Sequence, residues 1–365
     1  SQVNAEMSQA LWERARGYQS VLAQQGAVVT DADILQPAGT LLDLYGEDIR
    51  ARAFTTQDPL RGEQMLRPDF TVPIVQHHMA SGADPSRYTY LGKVFRKQDE
   101  VEARPTEFVQ VGYEVFDGSN VAAADAEVFA AIAGLLKDVP VSPVTGDIGI
   151  LRAAVMGLKT TQRRRDALMR HLWRPRRFRA LLDRFGGLAQ VPAARAALLA
   201  KTDPMADLPP VLGLRSESEI ALRIAALRED AAADPISHVE RDLLDALLKV
   251  RETAPIALTA LGDIAVDLPS IAPAVDRLSA RLDALEKRAI DVETLPFEAA
   301  YGRTSMEYYD GFVFGFSALP ALNLPPVATG GRYDALTTVL GGGEGVPAVG
   351  GVIRPDLVAI AEGAL

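Results

Sequence analysis

The run Glu107-Phe108-Val109-Gln110-Val111-Gly112-Tyr113-Glu114-Val115-Phe116 constrains this chain more than any other stretch. Its residues alternate in character, which predicts a strand with two distinct faces. Val109, Val111, Tyr113 and Val115 form one face, an ordinary core face. Phe108, Gln110, Gly112, Glu114 and Phe116 form the other. That face holds an amide and a carboxylate between aromatic ends, with a glycine where a ligand could come close. A half-exposed strand would more often carry Thr, Lys or Ser there. The pattern predicts the floor of a polar pocket.

At 365 residues the chain is long enough for two domains. The formal charge of -10 argues against a general nucleic-acid-binding surface, although a local basic patch can hide in that average. No cysteine is present, which excludes disulfides and thiolate metal sites. The histidines are His77, His78, His171 and His238, and none has zinc-like spacing. Surface or satisfied histidines are the better reading, so neither a metal nor a cofactor is expected. No run of about 18 apolar residues could span a membrane. A charged-then-apolar signal peptide is missing, so the expected compartment is the cytoplasm.

Along the chain, residues up to Gln25-Gly26 read as a helix, with Met7, Leu11, Tyr18, Val21 and Leu22 on one side. Ile34 to Pro37 reads as a short strand and Leu41 to Tyr45 as a helical turn. Strands are expected near Ala53 to Thr56, Tyr88 to Arg96 and Glu107 to Phe116. Ala122 to Lys137 should be a helix. Asp147 to Ile150 reads as a strand entering another helix. From 158 to 289 helix signals dominate. Ile271, Val275, Leu278, Leu282 and Leu285 keep helical spacing behind Ser270 as an N-cap. Strands then resume with Phe312, Phe314 and Phe316, and with Ala348 to Ile353. Pro355 to Ala361 closes the pattern as a helix. The expected fold class is α+β, one core formed by 1–157 and 290–365 and interrupted by a helical insertion.

Several motifs in this order resemble a class II aminoacyl-tRNA synthetase core of the histidyl-tRNA synthetase branch. Leu66-Arg67-Pro68-Asp69-Phe70-Thr71 looks like that family's Leu-Arg-Pro-Glu-Gly-Thr. Phe95-Arg96 resembles the motif 2 Phe-Arg, and the Phe108 to Phe116 run looks like its histidine-pocket strand. Glu307-Tyr308-Tyr309-Asp310 resembles the histidine-recognition motif. Gly330-Gly331-Arg332-Tyr333-Asp334 is similar to the strand before motif 3. Pro37 matches the motif 1 proline of the dimer interface. The resemblance implies an antiparallel sheet flanked by helices.

Departures from that family shape the functional expectation. No anticodon-binding domain is expected after the motif 3 region, which runs to Leu365. Leu357 stands where motif 3 has its arginine, and Arg354 is displaced by three positions. The family's catalytic arginine falls on Thr304, with Arg303 adjacent. The motif 2 Arg-x-Glu becomes Arg96-Lys97-Gln98. Adenylation needs cations on developing phosphate charge, so this pattern implies that ATP chemistry is gone. A histidine pocket without activation chemistry looks like the synthetase-like regulatory subunits of ATP phosphoribosyltransferase. Such a subunit partners a short-form catalytic subunit in the first step of histidine biosynthesis. The resemblance thus implies L-histidine as ligand, a homodimer within a hetero-oligomer, and no catalytic residues. A truncated synthetase, or another amino-acid-activating enzyme, is the alternative.

The resemblance implies a histidine site made of Asp69, Thr71, Arg96, Gln110, Glu114, Tyr308 and Tyr309. Glu114 and Asp69 would hold the ammonium with Gln110 and Thr71, and Arg96 the carboxylate. Tyr308 and Tyr309 would bound the imidazole, with Glu307 or Asp310 nearby. The bland counterpart is an internal ion pair such as Arg96 with Glu114. Arg163, Arg164, Arg165, Arg170, Arg174, Arg176, Arg177 and Arg179 form a basic cluster in an acidic chain. It is either a solvated helix face or a docking surface for an acidic partner or RNA.

Overall fold

The computed structural model describes residues 2–98, 104–203, 216–303, 308–320 and 323–363. Thr304 and Glu307 lie outside the described residues. The strands are β1 (Val28–Val29), β2 (Leu35–Pro37), β3 (Thr55–Asp58), β4 (Gly62–Leu66), β5 (Ser86–Phe95) and β6 (Glu107–Phe116), followed by β7 (Val141–Asp147), β8 (Arg251–Thr253), β9 (Pro296–Glu298), β10 (Phe312–Ala318), β11 (Ala328–Arg332) and β12 (Ala348–Ile353). One sheet has nine strands in the order β1-β5-β6-β12-β11-β10-β7-β9-β8. From β5 to β7 all pairings are antiparallel, and β1/β5 and β7/β9 pair parallel. A small second sheet runs β2-β4-β3. This is the α+β arrangement that the motif order implies.

The two faces of β6 separate two bodies of core. Val109, Val111, Tyr113 and Val115 pack with Ala15 and Leu22 of the helix Gln2–Gln24, and with Phe129 and Ile132 of the helix Val121–Leu135. Phe108 and Phe116 join Phe70, Tyr88, Tyr90, Tyr309, Val313 and Tyr333 on the opposite face. Both faces of β6 are therefore buried, so a carboxylate on the second face is far from ordinary.

Local chemistry sets several boundaries. Asn120 caps the helix Val121–Leu135 by accepting from the Ala123 N–H at 3.0 Å. Asp147 accepts from the Gly149 N–H at 2.8 Å, so the strand stops there and Ile148–Met156 is helix. The expected strand from Asp147 to Ile150 is thus confined to its first residue. Ser270 is not an N-cap. Pro269–Ile271 is a 3-10 turn, the helix begins at Ala272, and the Ser270 hydroxyl is buried without a partner against Gly157. The strand expected at Ala53 to Thr56 lies two residues later and pairs with β4, which the sequence reading passed over.

The stretch 158–289 is helical for most of its length, but β8 within it joins the main sheet through β9. Beyond β8, the helix Ala272–Lys287 packs on Val121–Leu135. Its Arg281 is buried and bonded to Asp125 at 3.0 Å and Asp147 at 2.8 Å. The helical block shares one continuous core with the sheet, through Leu168, Phe178, Leu182 and Leu278.

Candidate functional site

Glu114 is 2% exposed, and a glycine on one neighbouring strand makes room for it. It faces Tyr88 on β5 and Gly350 on β12. A side chain at Gly350 would collide with the carboxylate. Three hydroxyls donate to Glu114: Tyr333 at 2.5 Å, Tyr90 at 3.2 Å and Thr71 at 3.4 Å. Among the described residues no guanidinium or ammonium is a partner of Glu114. Burial raises its pKa to about 7, against the pull of the Tyr333 and Tyr90 hydrogen bonds, and the nearby Asp69 charge adds to the rise. The internal ion pair of Arg96 with Glu114 is not formed.

Arg96 is the matching cation. Its Nε donates to the Pro68 carbonyl at 2.8 Å, which fixes the side chain, and its guanidinium lies 5.3 Å from the Phe108 ring centre. Among the described residues its terminal nitrogens have no hydrogen-bond partner. Burial pushes its pKa down, with Asp69 and Tyr308 opposing. Asp69 accepts from the Val72 N–H at 3.4 Å at the start of the helix Thr71–Ser81. Burial raises its pKa against the pull of Arg96. Asp69 therefore lies at a helix start, in the field of Arg96 and close enough to Glu114 to raise its pKa.

Thr71, Tyr308 and Tyr309 converge on the same place. Tyr308 hydroxyl lies 3.4 Å from that of Thr71, and the Tyr308 and Tyr309 rings are 4.7 Å apart. Gln110 is 4% exposed, and among the described residues nothing bonds to its amide group. Asp310 does not join them. Its carboxylate accepts from the Ala335 N–H at 2.8 Å and so holds the start of the helix Asp334–Leu340.

Gly112 has a different role from the expected one. The Tyr90 ring covers it, and any side chain there would strike that ring. The glycine therefore admits a tyrosine instead of a ligand, and this tyrosine reaches Glu114. Tyr90 and Tyr333 were the residues that sequence reasoning missed. The signal was present for Tyr90, which alternates with Tyr88 and Gly92 in β5 and lies directly opposite Gly112. Tyr333 lies in the Gly330 to Asp334 motif, but that motif carries no sign that its hydroxyl reaches Glu114; it follows β11 and its N–H donates to the Ala348 carbonyl of β12 at 2.9 Å.

Arg354 and Arg303, the arginines nearest the departed motif positions, have partners within the fold. Leu357 is buried in the core beside Val358. Arg354 lies 3.7 Å from the Phe108 ring centre and pairs with Asp356 at 2.8 Å. Arg354 and Arg96 thus both flank the Phe108 ring. Arg303 donates to the Leu172 carbonyl at 3.0 Å and lies over Phe178, inside the helical block. A groove of about 710 Å³, between the helices Gln2–Gln24 and Pro355–Ala361, is lined in part by Phe108, Arg354, Asp356 and Leu357. Among the described residues no group of three acidic or histidine side chains could hold a metal ion. Among them, no helix is long and apolar enough to cross a membrane.

Comparison with known proteins identifies the family and the fold. The family model described as Histidyl-tRNA synthetase matches residues 14–209 and 219–358. The chain is 31% identical over 348 residues to an ATP phosphoribosyltransferase regulatory subunit of Brucella canis, covering 89% of this chain and 90% of that protein. The protein of the same name from Brucella suis matches equally well. Among solved structures, an ATP phosphoribosyltransferase regulatory subunit/histidyl-tRNA synthetase from Bacillus halodurans superposes with a TM-score of 0.67 at 21% identity, over 98% of this chain and 79% of that one. A histidyl-tRNA synthetase from a Nostoc species gives 0.64 at 15% identity, over 99% and 73%. At such identities the structures establish the fold alone.

Proposed function

Since the chain belongs to the histidyl-tRNA synthetase family, and within it groups with the ATP phosphoribosyltransferase regulatory subunits, we propose that it is the non-catalytic regulatory subunit of that enzyme. It works with a short-form catalytic subunit in the first step of histidine biosynthesis, in the cytoplasm. It senses L-histidine for feedback inhibition, as a homodimer within a hetero-oligomer. One observation carries the reading. Glu114 and Arg96 are both desolvated, both lie in the field of Asp69 and Tyr308, and neither pairs with the other. A free amino acid supplies the two missing charges in a single molecule.

Histidine then binds with its ammonium on Glu114, helped by Thr71 and the free amide of Gln110. Its carboxylate takes the open nitrogens of Arg96, a charge-assisted bond stronger than a neutral one. Tyr308 and Tyr309 bound the imidazole. Asp69 acts through its charge, keeping Arg96 protonated and the region attractive to a cation. Activation chemistry does not follow, because Leu357, Arg354 and Arg303 are committed to packing or to internal partners. Feedback requires two states of the complex with different histidine affinity. It also requires reciprocity: ligands of the catalytic site must change histidine affinity here.

The test has two arms. Purified protein should show no histidine-dependent pyrophosphate–ATP exchange, and rapid exchange would restore the synthetase reading. Mixed with a short-form catalytic subunit, it should raise activity, and histidine should lower it. A catalytic subunit that is indifferent to this protein would refute the regulatory role.

A further inference from the structure

The segment 162–185 carries nine arginines against two aspartates, a surplus of seven positive charges in a chain of net charge -10. It forms two helices, Gln162–Arg170 and Pro175–Phe185, joined by the turn at residues 171–174. Most of its arginines have internal work. Arg164 is buried and bonds Asp230 at 2.7 Å and the Asp234 carbonyl at 3.0 Å. Arg165 donates to the carbonyls of Leu158 and Thr160 at 3.0 and 2.6 Å. Arg174 pairs with Asp48 at 2.9 Å and Arg179 with Asp245. Arg163 reaches Glu229 at 3.9 Å.

Arg184 lies over the Phe185 ring at 5.2 Å, and Arg170, Arg176 and Arg177 remain. All three are exposed, and among the described residues none has a hydrogen-bond or ion-pair partner. They sit close to one another around the turn. Arg170 ends the first helix, and Arg176 and Arg177 lie in the first turn of the second; between them His171 has its pKa held down by burial and then by Arg177, Arg174 and Arg170. An evenly solvated helix would spread such charges, and a fold gains nothing by crowding unpaired ones.

We propose that the face formed by Arg170, Arg176 and Arg177 docks an acidic surface of the catalytic subunit, which rests on the regulatory reading for the identity of the partner. Two observations favour protein over RNA. The aromatic side chains of this segment are turned away from the face. Phe178 and Phe185 are in the core and Trp173 packs against the ligand cluster, so no aromatic platform is available for bases. Directly beyond the second helix, Leu188 and Val191 are 63% and 51% exposed. Arginine beside exposed aliphatic surface is the composition of a protein interface. The position also suits a regulator. Trp173 lies in the turn between the two helices and touches the cluster that holds Tyr308 and Tyr333.

The test is affinity for a purified short-form catalytic subunit, measured by interferometry with the full chain. The triple variant Arg170→Glu/Arg176→Glu/Arg177→Glu should bind about 100-fold more weakly, and the wild-type association rate should fall as salt rises. Histidine binding to the variant should stay within twofold, which verifies its fold, and the triple lysine variant should keep its partner. Equal partner affinity of wild type and the glutamate variant would overturn the docking face and leave the regulatory reading standing. Wild type that binds no catalytic subunit would overturn both. Retention of wild type on tRNA, abolished in the glutamate variant while partner affinity persists, would reassign the face to RNA.

Discussion

Two buried carboxylates lie on opposite faces of the same sheet and are treated in opposite ways. Asp125, 1% exposed, receives Arg281 at 3.0 Å and Arg332 at 2.9 Å. Its charge is fully matched, and the cluster ties the helix Ala272–Lys287 to the sheet. Glu114, 2% exposed, receives only hydroxyls. Neighbouring residues at the end of one strand serve the two, Arg332 reaching Asp125 and Tyr333 reaching Glu114. A fold that can supply arginines to one carboxylate and withholds them from the other has left room for a cation from outside. The first cluster is architecture, and the second is where the proposed function places its ligand.

The largest expected effect tests the architectural half. Arg281→Ala leaves Asp125 and Asp147 short of a buried partner and should cost about 3–5 kcal/mol of stability. Urea unfolding measures it, and a loss near zero would dissolve the contrast. The next effect separates the halves by pH. Burial raises Glu114 from 4.5 in the unfolded chain to about 7 in the fold. The folded protein therefore holds this proton more firmly. The stabilisation is complete below the unfolded value and is lost as pH rises through about 7. Relative to Glu114→Gln, which cannot titrate, the ligand-free wild type should lose about 3 kcal/mol between pH 4 and pH 8. A constant difference would show that Glu114 is already satisfied. The smallest effect sharpens the link between the pocket and the helices. Trp12 and Trp173 are the only tryptophans. In a Trp12→Phe protein, histidine should shift the emission of Trp173 by a few nanometres, and an unchanged spectrum would detach that turn from the pocket.

How much of this was legible beforehand depended on whether the signal was local. The alternation of Glu107 to Phe116 marked the strand, both its faces and the odd carboxylate on one of them. The ranges Ala348–Ile353 and Pro355–Ala361 also match the structure. Gly112 was misread because a glycine in a strand signals close approach without saying of what, and the answer, Tyr90, came from the partner strand. Ser270 had the right residue type for a cap, but Pro269 begins a 3-10 turn there and moves the helix start to Ala272. The strand β8 was hidden because three residues between long helices carry almost no periodicity. Asp310 resembled a ligand residue by motif alone, and only the fold shows its carboxylate at the start of a helix.

The central claim is that Glu114 awaits the ammonium of histidine. Calorimetric titration of L-histidine into wild type and the Glu114→Gln protein tests it most directly, at pH 6 and pH 8 in buffers of different ionisation enthalpy. Wild type should bind histidine, and the variant should bind it about 2–5 kcal/mol more weakly at pH 8. At pH 6 the wild type should release close to one more proton on binding than the variant does, because the ligand draws Glu114 into its charged form. Equal affinity and equal proton release in the two proteins would contradict the account.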